Sequence, residues 1–84
     1  MYSALSDHSY RAFVTHLVAA RHAAGVSQRE LAGRLGRQPS YVAKTERYER
    51  RLDPAEFWAW CSALGLDASE TFTAVIAELN EIEP

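Results

Sequence analysis

The chain has 84 residues, nearly half of them apolar, and a formal net charge of −2 at neutral pH. This length suits one small domain with a single core, and no apolar run reaches the roughly 18 residues that a membrane-spanning helix needs. The single Cys61 excludes an intrachain disulfide, and the first residues lack the basic and apolar regions of a secretory signal, so we expect a cytoplasmic protein.

The first predicted helix extends from Asp7 to about Ala24. Apolar residues recur along it at helical spacing and form one stripe that can face a core. Gly25 is expected to end the helix, because glycine adopts the left-handed conformation at little cost. The stripe consists of Tyr10, Phe13, Val14, Leu17, Val18, Ala20 and Ala24.

Capping signals mark the later helices. Ser27-x-x-Glu30, Asp53-x-x-Glu56 and Asp67-x-x-Glu70 each match the capping box, in which the first side chain and the Glu satisfy backbone amides of the first turn. A further helix opens near Gln38-Pro39, and no segment alternates long enough for a strand. The sequence therefore predicts an all-α domain of five short helices. The four later helices are predicted at about 28–35, 38–47, 54–64 and 68–81.

Positive charge is concentrated in the middle of the chain. Residues 21–51 contain eight Lys or Arg against three Glu, whereas residues 53–84 contain seven acids and no Lys or Arg. The small net charge therefore hides a basic half and an acidic half. A basic pair of short helices is typical of a DNA-binding protein.

The link between the second and third helices has the features of a helix-turn-helix. Gly36 permits a positive φ at the turn, and Ala32 is small enough for two helix axes to approach closely. Apolar contact beneath the turn is expected from Leu31, Leu35 and Val42.

On these residues the sequence resembles the Xre-type helix-turn-helix family, the group of the lambda-like phage repressors and Cro proteins. The resemblance covers roughly residues 10–79 and implies a five-helix lambda-repressor-like domain. It also implies major-groove binding to a double-stranded DNA operator, usually as a homodimer. The matching residues are Ser27-Gln28, Leu31-Ala32, Leu35-Gly36, Ser40-Tyr41-Val42, Lys44, Glu46-Arg47, Glu49-Arg50-Arg51-Leu52-Asp53 and Ala63-Leu64-Gly65.

Three positions depart from the family pattern. Tyr48 replaces the glycine that usually closes the third helix, so either the helix continues or Tyr48 is left-handed, at a cost of about 1 kcal/mol. Thr45 stands where an apolar residue is more common, which thins the core beneath the third helix. Pro39 replaces a Gln that touches bases in many relatives, so base recognition must depend on its neighbours.

The start of the third helix is predicted to face solvent and to read bases. Gln suits adenine, Ser suits either base edge, Lys favours guanine, and Tyr can touch a thymine methyl group or a phosphate. Three alternatives stay open: Gln38 as a helix cap, Tyr41 packed on the second helix, and Lys44 as a solvated charge. The predicted base-reading residues are Gln38, Ser40, Tyr41 and Lys44.

Five further residues are predicted to hold the DNA backbone without specifying sequence. The family resemblance implies this role for the Gln that opens the second helix, and four arginines flank the reading helix. Glu46 is expected to be structural, paired with Arg50 or with an arginine of the first helix. The predicted phosphate-binding residues are Gln28, Arg37, Arg47, Arg50 and Arg51.

The fifth helix carries an apolar stripe that is long for closing a core alone, and Trp58 lies off the core stripe of the fourth helix. Together they suggest a dimer interface, with a monomer that folds the stripe inward as the alternative. The predicted interface residues are Trp58, Phe72, Val75, Ile76 and Leu79.

Neither a catalytic constellation nor a metal set is evident. The three histidines lack zinc-ligand spacing and an evident acidic partner, and Cys61 lies on a core stripe, so no enzyme, metal or cofactor is predicted. The leading interpretation is a dimeric, sequence-specific regulator, most simply a repressor; phage repressor, antitoxin and restriction-modification controller all fit. The alternative is a protein-interaction module, such as an antitoxin or adaptor that binds a toxin or another partner through its helical or acidic surface.

Overall fold

A computed structural model describes the backbone of residues 2–82 and the side chains of residues 8–82. Within that range the chain forms five α-helices and no strand, as predicted, and the helix boundaries match within a residue except at the start of α1. None of these helices is long and apolar enough to cross a membrane. The helices are α1 Tyr2–Ala23, α2 Gln28–Arg34, α3 Pro39–Glu46, α4 Pro54–Ala63 and α5 Ala68–Ile82.

The predicted capping boxes start α2 and α4. The Ser27 hydroxyl accepts the Glu30 amide hydrogen at 3.0 Å, and the Asp53 carboxylate accepts that of Glu56 at 2.8 Å. Each Glu side chain accepts the amide of its cap residue in return. The same cap-to-amide bond forms at the start of α5, so local sequence alone sets where these helices begin.

Four helices end at a residue with positive φ. Gly25, Gly36 and Gly65 end α1, α2 and α4, and the φ of Gly36 is +68°. The amide of Arg37 then donates to the Ala32 carbonyl at 2.9 Å, and that of Gly36 to the Gly33 carbonyl at 3.1 Å. This bond pair is the Schellman closure, and it confirms the predicted turn between α2 and α3.

Tyr48 closes α3 in the same way, with φ of +65°. The left-handed alternative is therefore the observed one. The Tyr48 hydroxyl lies 3.1 Å from the Thr15 hydroxyl, and the Arg11 guanidinium lies 4.5 Å from the centroid of the Tyr48 ring. These contacts with α1 hold the side chain and offset part of the backbone cost of about 1 kcal/mol.

The core lies where α4 meets the other helices. Trp60 and Cys61 are fully buried there, as are Leu17 of α1 and Leu31 of α2. Thr45 is also fully buried, but its hydroxyl donates to the Tyr41 carbonyl at 2.8 Å. The buried hydroxyl of Thr45 is thus hydrogen-bonded within α3, which limits the free-energy cost of placing a polar residue in the core.

A buried ion pair joins α1 to α3. Arg21 Nε lies 2.6 Å from Glu46 Oε2, and Arg21 also donates to the Val26 carbonyl at 2.8 Å. Gln28 Nε2 donates to the other Glu46 oxygen at 2.8 Å. Glu46 is therefore structural, and its partner is the arginine of the first helix rather than Arg50.

Candidate nucleic-acid interface

One face of α3 is fixed and the opposite face is free. Val42 and Thr45 have no exposed surface and pack against the rest of the domain. At 3.6 residues per turn, Ser40, Lys44 and Arg47 then fall on one outward stripe, and all three are exposed. The helix-turn-helix geometry therefore presents a polar, basic edge of α3 to solvent.

Gln38 stands at the N-cap position of α3 and is exposed, but it does not work as a side-chain cap. Its backbone is extended, and its amide makes no capping bond to the described first turn of the helix. Pro39 follows, where its missing N–H costs nothing. The Gln38 side chain is thus available beside the outward stripe of Ser40 and Lys44.

Tyr41 is nearly buried, which contradicts the prediction that it faces solvent with the other candidate base-reading residues. Only 9% of its surface is exposed. Its hydroxyl accepts from the indole N–H of Trp60 at 3.2 Å and donates to Glu56 Oε2 at 3.2 Å. Burial, with Glu56 nearby, raises the pKa of the Tyr41 phenol. The Tyr41 hydroxyl therefore ties α3 to α4, while its side chain belongs to the core cluster that also contains Leu31 and Ala32 of α2.

Two of the predicted phosphate-binding arginines meet at Tyr41. The guanidinium carbons of Arg37 and Arg50 each lie 4.5 Å from the centroid of its ring. Glu56 Oε2 lies 2.8 Å from an Arg50 nitrogen and 3.7 Å from one of Arg37. Burial opposes the change, but hydrogen bonds from Arg50 and the Asp53 amide lower the pKa of the Glu56 carboxyl. Residues from both sides of α3 thus form one cationic corner.

The other predicted phosphate-binding residues have separate surroundings. Arg47 is exposed and pairs with Glu49 at 2.9 Å, and the Arg51 guanidinium lies 4.5 Å from the Tyr10 ring centroid. The Tyr10 hydroxyl accepts from the Leu52 amide and donates to the Arg50 carbonyl, which fixes the α3–α4 loop. Gln28 is half-buried, and its amide nitrogen donates to Glu46.

The predicted dimer surface is only partly exposed. Val75 is 1% exposed and belongs to the core, so its assignment to an interface is wrong: α5 turns it inward against α1 and α4. Leu79 is half-buried. Trp58, Phe72 and Ile76 remain 64%, 47% and 38% exposed; Phe72 and Ile76 lie one turn apart on α5, and Trp58 lies on α4.

The titratable groups that the structure describes outside α3 form an ion pair between helices but no metal site. Among the described residues, no cluster of His, Cys, Asp and Glu could hold an ion. His16 does have an acidic partner, contrary to expectation: its Nδ1 lies 3.2 Å from Glu78 Oε1 and links α1 to α5. Cys61 is buried in the core as predicted, and burial raises the pKa of its thiol.

Two residues of this region escaped sequence reasoning. Glu56 was assigned only to a capping box, although its second oxygen contacts Arg37 and Arg50. Arg21 was not singled out as the partner of Glu46 among the arginines of the first helix, although it continues the buried stripe of Val14 and Leu17 and is itself 6% exposed. Its spacing from that stripe was the available signal.

Known proteins show the same architecture. The family model described as "Helix-turn-helix domain" matches residues 12–72. An XRE-family like protein from Pseudomonas syringae pv. tomato str. DC3000 is 41% identical, with a TM-score of 0.83 over 99% of this chain and 96% of that one. The clp gene regulator ClgR from C. glutamicum, 24% identical, shares the fold, with a TM-score of 0.72 over 84% of this chain and 91% of that one.

No curated protein matches the chain. The family model spans most of the sequence, and the Pseudomonas protein is similar along nearly all of it. The chain therefore belongs to the Xre-type helix-turn-helix family of DNA-binding transcription regulators, which are not enzymes.

Proposed function

We propose that this regulator is a dimeric repressor that reads a two-half-site operator with α3 in the major groove. The observation that carries the proposal is that Ser40 and Lys44 lie exposed on the outward stripe of α3, next to Gln38, whose side chain makes no capping bond. Their opposite face is held by buried Val42 and Thr45, so the stripe is presented rigidly. Repression would follow if the bound dimer covers sites that polymerase needs.

The chemistry of the three exposed side chains suits base edges. An amide can pair bidentately with adenine, an ammonium group favours guanine N7 and O6, and a hydroxyl serves either edge. Tyr41 leaves this set because it is buried. We therefore assign base readout to Gln38, Ser40 and Lys44.

The arginines around α3 supply the sequence-independent part of binding. Arg37 precedes the helix, and Arg47, Arg50 and Arg51 follow it in the sequence, while Arg37 and Arg50 meet at Tyr41. Guanidinium groups in such positions fix a protein on phosphates without choosing a sequence. Gln28 joins them, because its side chain is only half-buried.

We assign the dimer surface to the three exposed apolar side chains Trp58, Phe72 and Ile76. Exposed apolar side chains of this size do not stabilise a monomer, and they are typical of interaction surfaces. A symmetric dimer through this surface must place its two α3 helices about 34 Å apart to meet successive major grooves.

The function is tested by selecting duplexes from a random-sequence pool and measuring affinity for the selected operator as salt is raised. We expect an inverted repeat, and a linear fall of log affinity with log salt concentration. Binding without sequence preference would contradict the readout assignment. No salt-dependent binding to any duplex would contradict the function itself.

A second candidate, binding to a protein partner such as a toxin, is favoured by Trp58. Its indole is 64% exposed in the half of the chain that carries no Lys or Arg. A protein that binds no duplex, but whose Trp58 becomes protected from acrylamide quenching on adding a partner, would support this candidate. Buried Trp60 provides the unquenched reference within the same chain.

A further inference from the structure

Glu56 holds two arginines that the proposed function assigns to DNA phosphates. Its Oε2 lies 2.8 Å from a nitrogen of Arg50 and 3.7 Å from a nitrogen of Arg37. These arginines come from opposite ends of α3, and the carboxylate comes from the first turn of α4. A single carboxylate therefore engages two cations that flank the reading helix in the sequence, and offsets one of their two positive charges.

The carboxylate is fixed and the arginines face outward. Glu56 Oε1 accepts the Asp53 amide at 3.0 Å, and Oε2 accepts the Tyr41 hydroxyl at 3.2 Å. The Glu56 side chain is 14% exposed, against 49% for Arg37 and 34% for Arg50. A phosphate approaching from solvent thus meets guanidinium groups that already have an anionic partner behind them.

Carboxylate and phosphate are alternative ligands for the same guanidinium donors. We propose that Glu56 is an internal competitor of backbone phosphate, which limits the affinity of this chain for all DNA by engaging Arg37 and Arg50. The inference rests on the proposed function, because it presumes that these arginines face DNA. It makes Glu56 a residue that sets the strength of binding without touching a base.

The direction of the effect follows from Tyr41. Both arginines stack on its ring at 4.5 Å, and the ring is itself anchored by Trp60. Removing the Glu56 charge therefore removes the anionic partner of Arg37 and Arg50, while the Tyr41 ring still orders their side chains for a phosphate. If Glu56 served mainly to orient the arginines, its loss would instead weaken binding.

The test is Glu56→Gln, which keeps a side chain that serves equally well in a capping box. Affinity for a labelled mixed-sequence duplex and for the selected operator is measured by fluorescence anisotropy over a salt series. We expect binding about 3- to 10-fold tighter to both duplexes, and a log-log salt slope steeper by up to about one. Unchanged or weaker binding would overturn the proposal.

The matched control is Glu30→Gln. Glu30 is also the capping-box Glu of its helix, and it also pairs with an arginine, Arg34 at 3.3 Å, which is not assigned to DNA. Both substitutions remove one negative charge. An equal gain from Glu30→Gln would show that net charge alone is responsible and would refute the competition at Arg37 and Arg50.

Two further variants keep the test decisive. Glu56→Asp preserves the charge but shortens the side chain, so contact with Arg50 is lost; we expect part of the gain, whereas wild-type affinity would contradict a contact mechanism. In a background of Arg37→Ala with Arg50→Ala, Glu56→Gln should give no gain, and a persistent gain would overturn the proposal. If the wild type itself binds no duplex, the proposed function fails rather than this inference.

Discussion

Arg21 of α1 and Glu46 of α3 form a bidentate ion pair in which both side chains are only 7% exposed. One nitrogen–oxygen pair is at 2.6 Å and the other at 2.9 Å. The pair fixes the end of the reading helix to the first helix. Its position links the stability of the domain directly to the orientation of α3.

We expect Arg21→Met to destabilise the domain by about 3–5 kcal/mol, because it leaves the buried Glu46 carboxylate without its cation. Adding Glu46→Leu should recover much of that loss, since the uncompensated charge is then gone. Urea denaturation followed by circular dichroism measures both. Exposed Arg29→Met is the control and should change stability by less than about 0.5 kcal/mol. An Arg21→Met protein as stable as the control would show that the pair is dispensable.

Two glycines of the helix-turn-helix should respond oppositely to alanine. Gly36 has φ of +68°, whereas Gly33 is helical, and at both sites a Cβ would meet nothing within 4 Å. Gly36→Ala should therefore cost about 1 kcal/mol through backbone strain alone, and Gly33→Ala should stabilise by about 0.5–1 kcal/mol. Thermal melts of the two variants compare them directly. The same sign for both would argue against a left-handed turn.

Base readout should depend on the outward stripe of α3. Gln38→Ala or Lys44→Ala should each cost about 1–3 kcal/mol on the selected operator and relax the preference at one base position. Arg47→Ala should weaken binding to every sequence alike. Affinity for the operator and for duplexes with single base changes separates these outcomes. If sequence preference is unchanged in both Gln38→Ala and Lys44→Ala, these residues do not read bases.

Self-association should depend on the exposed part of α5. Phe72→Asp combined with Ile76→Asp should give a folded monomer that loses cooperative operator binding, because charge replaces the apolar contact. The control is Ala74→Asp with Ala77→Asp, which adds the same charge to another exposed side of α5. Light scattering over a range of concentrations measures mass. A wild type that stays monomeric throughout would refute the dimer.

Sequence alone determined the local features of this protein. The capping boxes at Ser27 and Asp53 and the glycine at position 36 predicted where helices begin and turn, because these bonds form between residues three to five positions apart. The spacing of Ser40 and Lys44 likewise predicted an exposed reading edge, which the periodicity of α3 produces.

Tertiary structure decided what distant residues do to one another. Tyr41 and Val75 were both predicted to serve contacts outside the domain, and both are buried, because α4 supplies Trp60 to the first and α1 and α4 cover the second. Glu56 meets one arginine that precedes α3 and one that follows it only because the tertiary fold brings the first turn of α4 to both. Burial and charge pairing depend on how helices dock, and a local pattern cannot specify which face of a helix another element will cover.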